Sequence, residues 1–171
     1  MSLLHSFRGM YEPYNISRKI YGFDTFEGFS TLDQRYESTS QVGDYKTVPG
    51  YEKILEEILG IHEFLSPVNH IRKFELIKGD ASLTFGPWLE RNPGAVVSMA
   101  ILDMDVYKPT KDVLTAIIPR LVKGSLLVFD EFNCEMFPGE TAAVQEVLGL
   151  NNLKLHHFPH QSYCAWAVYG E

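Results

Sequence analysis

The sequence predicts an α/β fold built on a mostly parallel sheet, and three observations predict it. The runs Val96-Val97-Ser98-Met99-Ala100-Ile101-Leu102 and Gly124-Ser125-Leu126-Leu127-Val128-Phe129 are nearly continuous uncharged stretches, the pattern of strands buried on both faces. Between the candidate strands lie segments whose apolar residues recur at helical spacing, so strand and helix alternate along the chain. Each strand run also ends on acid: Asp24, Asp80, Asp103 with Asp105, and Asp130 with Glu131. In a parallel sheet those ends share one side, the edge where open α/β sheets bind ligands.

The elements follow in order. Met1 to Tyr11 carries Leu3, Leu4, Phe7, Met10 and Tyr11 at helical spacing, with no cap before it, so the chain begins inside a helix. The stretch Glu12-Pro13-Tyr14-Asn15 ends that helix, and Arg18 to Asp24 reads as a short strand. Ser30 to Gly50 is polar, rich in Ser, Thr, Gln and Gly, and without period, which predicts a long functional loop acting as a lid. Tyr51 to His62 is a crossover helix on Tyr51, Ile54, Leu55, Ile58 and Leu59, and Ser66-Pro67-Val68-Asn69 turns the chain.

Phe74 to Asp80 is the next strand, followed by a helix on Leu83, Phe85, Trp88 and Leu89 that Asn92-Pro93-Gly94 closes. After the central strand, Pro109 suits a first helical turn, and Val113, Leu114, Ile117, Ile118 and Leu121 predict a helix running to Gly124, bent at Pro119. Pro138-Gly139-Glu140-Thr141 opens a last helix that Gly149 stops. The tail pairs Leu153–Phe158 with Tyr163–Val168 as a terminal antiparallel hairpin.

Composition narrows the function classes. A chain of 171 residues that is 45% hydrophobic supports one domain, residues 1–171, with a real core. The 22 acids outnumber 15 Lys and Arg, for a formal charge of -7 with no basic run, so a nucleic-acid partner is not expected. No stretch approaches the roughly 18 apolar residues of a membrane span, and no signal-peptide layout opens the chain. Cys134 and Cys164 are too far apart for a C-x-x-C and read as free thiols of a reducing, cytoplasmic compartment.

Acids converging from neighbouring strand ends cannot all ionise without a compensating positive charge. Asp24 after an early strand suits the hydroxyls of a ribose, and Asp80 after the next suits an exocyclic adenine amine. Thr25 and Ala81, beside them, belong to the same candidate nucleotide-binding edge. The later acids suit a hard divalent ion such as Mg²⁺, with Asp105 and Tyr107 as secondary candidates. The alternative is that these acids cap the following helices. The run His156-His157-x-x-His160 does not suit zinc, because neighbours on a strand face opposite sides. Trp88 and Trp166 read as core residues and Cys134 as inert.

The runs Tyr21-Gly22-Phe23-Asp24-Thr25-Phe26-Glu27-Gly28-Phe29, Leu102-Asp103-Met104-Asp105-Val106-Tyr107-Lys108-Pro109-Thr110, Phe129-Asp130-Glu131 and Pro138-Gly139-Glu140-Thr141 resemble the macrocin O-methyltransferase (TylF-like) family. That family belongs to the class I S-adenosylmethionine-dependent methyltransferases. The resemblance implies a seven-stranded Rossmann-like sheet, methyl transfer from S-adenosylmethionine to a hydroxyl of a small molecule such as a sugar or natural product, and a Mg²⁺ site. By motif position Asp103, Asp130 and Glu131 match the metal ligands, although Glu131 stands where family members often carry Asp. Asp103 also matches the cofactor-binding and catalytic position and is the expected proton acceptor. The family's first strand and glycine-containing turn have no counterpart after Met1, so the domain is expected to be N-terminally incomplete.

Three other readings use the same residues. A strand ending in the D-x-D of Asp103 and Asp105 also serves metal-dependent nucleotide-sugar transferases and phosphotransferases. A third reading is a non-catalytic module of the same fold that self-associates, as a homo-oligomer, through its hairpin or an open sheet edge.

Overall fold

A computed structural model describes all 171 residues, Met1–Glu171. Its centre is the pair β3 (Val97–Leu102) and β4 (Leu121–Phe129), which run parallel with Leu102 opposite Phe129. Ala100, Leu102, Leu127 and Phe129 turn one face of this pair into the core, where they meet Val113, Leu114 and Ile117 of α4 (Tyr107–Ile117) and Val144 of α5 (Pro138–Val147). A short antiparallel edge completes this sheet: β6 (Ala165–Val168) pairs with β4, and β5 (His156–His157) pairs with β6. The expected tail hairpin is therefore present, with a first strand of only two residues.

A second parallel pair, β1 (Ile20–Asp24) and β2 (Phe74–Lys78), forms its own sheet. Two helices, α1 (Ser2–Tyr11) and α2 (Tyr51–Leu65), pack on each other beside it. The helix α3 (Ala81–Arg91) links the two sheets: Trp88 and Phe85 meet Tyr21 and Phe23 of β1 edge-on and also belong to the cluster around β3 and β4. At the amino ends of the strands the Arg18 guanidinium donates to the Ser98 hydroxyl at 2.6 Å.

The single seven-stranded sheet implied by the resemblance is here six strands in two sheets, because no strand of this structure lies between β1 and β3. The open edge of β3 leaves Met99 48% and Ile101 43% exposed, unusual for apolar residues of a central strand. The helix expected to reach Gly124 ends at Ile117. Pro119 has no amide hydrogen to continue the ladder, and Ile118–Arg120 tighten into one 3-10 turn before β4 begins at Leu121. Gly124 lies within β4 at φ 94°, beside a bulge in the pairing of Val97 and Met99. No helix is long and apolar enough to cross a membrane.

Candidate functional site

The four strand ends carry their acids to one edge. Asp130 donates its amide to the Leu102 carbonyl at 3.1 Å, which locks the end of β4 beside the start of the Asp103–Asp105 turn. Burial, then the negative charges of Asp130, Asp24 and Glu131, hold the Asp103 carboxyl above its usual pKa, so the ends of β1, β3 and β4 share one field. Asp105 is pushed up to about 6 by burial and then by Asp103, Glu131 and Asp130. Its backbone sits at φ 61°, a left-handed conformation that Asp tolerates better than most residues.

These acids are not helix caps. The residue before α4 is Val106 and the one before α5 is Phe137, and neither helix start receives a side-chain bond from Asp103, Asp105, Asp130 or Glu131. The clustered carboxylates are thus held close without the amide bonds that would explain them structurally.

Glu140, in the first turn of α5, is a member of this cluster that the sequence reading missed. It is fully buried; its Oε1 accepts from the Glu131 amide at 3.1 Å, and its Oε2 has no partner. Burial pushes its pKa up to about 8; the Glu131 amide opposes that shift, and Asp105, Asp130 and Asp103 add to it. An acid in a first helical turn is ordinary dipole chemistry, so only its burial distinguishes it.

The donor chemistry of Asp103, Asp130 and Glu131 suits a hard cation, being all oxygen and in excess negative charge around an orphaned buried carboxyl oxygen. As the side chains stand, no three His, Cys, Asp or Glu converge into a group that holds a metal ion. Tyr107 faces elsewhere: its hydroxyl bonds the Glu146 carboxylate and accepts from Lys111 Nζ at 3.1 Å, tying α4 to α5.

On the β1 and β2 side, Asp24 is exposed; its Oδ1 accepts from the Phe26 amide at 2.7 Å and its Oδ2 has no protein donor. Thr25 shapes the following turn, donating to the Gly28 carbonyl at 2.7 Å. Asp80 caps α3 through the Ser82 amide at 2.8 Å, and its Oδ2 accepts from Ser30 at 2.6 Å and Thr31 at 3.4 Å. Burial alone would raise Asp80, but these donors outweigh it and hold the carboxyl below its usual range. Ala81 is the first residue of α3 and packs against the core.

The Met1 thioether lies where a side chain at Gly22 would collide with it. His156 is half-buried and stacks on Trp166 with centroids 4.3 Å apart, while His157 and His160 are exposed. Cys134 and Cys164 are free thiols, and burial raises both.

With this geometry in place, comparison with known proteins is informative. The family model of the macrocin-O-methyltransferases (TylF) matches residues 6–156. A structure of CalS11, described as a calicheamicin methyltransferase, is 37% identical over 99% of this chain and 67% of its own, with a TM-score of 0.95. A second CalS11 structure, without ligand and described as TDP-rhamnose 3'-O-methyltransferase, shows the same identity and coverage with a TM-score of 0.85. The O-methyltransferase NovP shares the fold at 17% identity and a TM-score of 0.64, over 98% of this chain and 65% of its own. None of the curated proteins matches the sequence.

Proposed function

We infer the function from one premise: the chain belongs to the macrocin-O-methyltransferase (TylF) family. The fold is the Rossmann-like one of that family's methyltransferases, which favours methyl transfer over the glycosyl and phosphoryl transfer readings of the D-x-D at 103–105. We propose that the chain's residues serve S-adenosylmethionine-dependent transfer of a methyl group to a sugar hydroxyl. The description of CalS11 makes a nucleotide-linked deoxysugar the first acceptor to try. The observation that carries this reading is the acid cluster at the ends of β3 and β4, gathered around the fully buried Glu140 and left uncapped in a family of O-methyltransferases.

Within that reading the residues divide the work. Asp24 presents a carboxylate oxygen with no protein donor, which suits the paired hydroxyls of the cofactor's ribose. Asp80 has both oxygens engaged by Ser82, Ser30 and Thr31, so it contributes to the adenine side by holding that segment in place and by its remaining lone pairs. Asp103 takes the proton of the attacking hydroxyl: burial and neighbouring charges raise its pKa, which moves a carboxylate toward the range where general bases work well. Asp103, Asp130 and Glu131 are the residues that would hold Mg²⁺, which when bound neutralises their charge and lowers the pKa of a hydroxyl.

Calorimetry with S-adenosylhomocysteine tests the cofactor side. Micromolar affinity is expected, weakened about tenfold or more in Asp24→Ala, since a hydrogen bond to a charged group is worth about 1.5 to 3 kcal/mol. A mass-shift assay with TDP-rhamnose tests transfer, and Asp103→Asn should lower kcat about 10²- to 10⁴-fold with affinity for S-adenosylhomocysteine retained. An Asp103→Asn protein with wild-type kcat would remove the proton-acceptor role.

A further inference from the structure

The segment 30–50 has neither helix nor strand, yet Glu37 within it is fully buried. Its two carboxylate oxygens are both used. Oε1 accepts from the Tyr107 amide, the first of α4, at 2.9 Å, and Oε2 accepts from the Asp33 amide at 2.7 Å. Val106, the residue that should cap α4, has no side-chain acceptor, so a carboxylate from the distant loop supplies the cap and favourably meets the positive end of the helix.

A third element closes on the same point. A side chain at Gly139, in the first turn of α5, would collide with Glu37 Oε1 and the Tyr107 amide, so glycine is what lets α5 approach this junction. Around it, Tyr36 lies 4.8 Å from the Tyr107 ring, and Arg35 covers both rings at 5.2 and 5.4 Å. At its other end the segment rests on Asp80 through Ser30 and Thr31. Residues 30–37 therefore bridge from the end of β2 to the start of α4, crossing over the gap between the two sheets.

Beside the bridge lies an open pocket of ≈ 300 Å³ lined by Thr31, Leu32, Asp33, Gln34, Tyr107 and Lys108. Two of its walls come from the two ends of the Glu37 bond: Asp33, whose amide Glu37 holds, and Tyr107. Its size is at the small end of about 300 to 1,000 Å³ for ligand sites; Lys108 is paired with Asp112 and Asp33 with Arg35, so the lining offers Leu32 and the Tyr107 ring beside the Gln34 amide, which suits the apolar face and hydroxyl edge of a sugar ring. Gly139, against which Glu37 packs, is followed directly by Glu140 of the acid cluster, so the Glu37 junction lies next to that cluster.

We propose that Glu37 is the positioning residue of the acceptor pocket: its buried carboxylate pins residues 31–37 to the first turn of α4 and so fixes the wall against which a sugar acceptor binds. The proposal rests on the methyl-transfer reading above. It gives Glu37 no contact with the reacting atoms and predicts a defect in acceptor binding rather than in cofactor binding or chemistry.

The test compares wild type with Glu37→Ala and Glu37→Gln, the latter keeping an acceptor oxygen for one amide. Hydrogen exchange at Asp33 and Tyr107 should speed up about tenfold or more in Glu37→Ala and be partly restored in Glu37→Gln. The KM for TDP-rhamnose should rise about tenfold or more, with kcat at saturation within about threefold, the signature of lost ground-state binding. Calorimetric affinity for S-adenosylhomocysteine should match wild type. Wild-type exchange rates and wild-type KM in Glu37→Ala overturn the proposal. A joint fall of kcat and S-adenosylhomocysteine affinity overturns it too, because that marks a general structural role. A wild-type protein that neither binds nor methylates TDP-rhamnose overturns the functional reading instead, and the exchange measurement then decides by itself whether Glu37 holds the segment.

Discussion

Two groups of carboxylates in this molecule feel the same desolvation and respond in opposite ways. Between α1, α2 and the start of β2, Glu63 is paired with Lys73, which is itself fully buried and also donates to the Val68 carbonyl at 2.9 Å and the Ile71 carbonyl at 2.8 Å. Glu63 further accepts from the Lys73 amide at 2.8 Å and lies 3.4 Å from His5. Burial works to raise Glu63, but Lys73 and its amide outweigh it, and the carboxyl ends below its usual range. At the ends of β3 and β4, burial again works to raise Asp103, Asp105 and Glu140, and there the neighbours are further acids. The same desolvation produces opposite outcomes because one group contains its cation and the other does not. The first acts as a rivet between helices and sheet. The second is the group proposed above to take a divalent ion.

The sharpest way to break this comparison is to remove the internal cation. Lys73→Met leaves Glu63 buried without its partner and should cost about 3–5 kcal/mol in urea unfolding. A second change, Glu63→Leu, should recover much of that loss, since an apolar pair can replace a buried ion pair at little cost. A single-variant cost below about 1 kcal/mol, typical of surface pairs, would erase the distinction between the two regions.

The next effect tests the proposed cation site. Mg²⁺ or Ca²⁺ should raise the melting temperature by mass action, on the order of 2.7 kcal/mol at one hundred times the dissociation constant. Asp130→Asn should abolish that increment and leave the metal-free protein unchanged or more stable, because it relieves repulsion. An Asp130→Asn protein that is less stable without metal would show that Asp130 is held by bonds of its own.

The smallest effect sharpens the comparison through pH. Glu140 titrates near 8 in the folded protein and near its ordinary carboxyl value when unfolded, so the folded state binds the proton more tightly. Its contribution to stability is full below the unfolded pKa and is lost as pH rises toward about 8; Asp105 adds the same sign of change up to about 6. The metal-free melting temperature should therefore fall between pH 5 and 8. In Glu140→Gln, which carries no titrating group there, the fall should be shallower. Equal slopes in both proteins would mean that Glu140 is not the group titrating in that window.

Much of this site was legible in the sequence because strands write their chemistry linearly. An apolar run followed by acid places the acid at a strand end, and Asp24, Asp80, Asp103, Asp105, Asp130 and Glu131 were all found by that rule. Glu37 and Glu140 were not. Glu37 sits in a polar, aperiodic stretch where an acid is unremarkable, and its partner Tyr107 lies far along the chain. Glu140 looks like any acid at a helix start. Their importance comes from burial, which no local pattern in either stretch records.

The sequence by itself determined the alternation of strands and helices, the acid at every parallel strand end and the family to which the chain belongs, because these depend on residues adjacent or one turn apart. Only the tertiary structure decided which acids lost their water and what compensates them. It placed Lys73 against Glu63, left Glu140 facing Asp103, Asp105 and Asp130, and brought Glu37 onto the first amide of α4. It also separated the strands into two sheets, with β1 and β3 both keeping an unpaired edge. Desolvation and pairing are properties of neighbours in space, and the packing of α1 to α5 around these sheets chooses those neighbours from positions far apart in the chain.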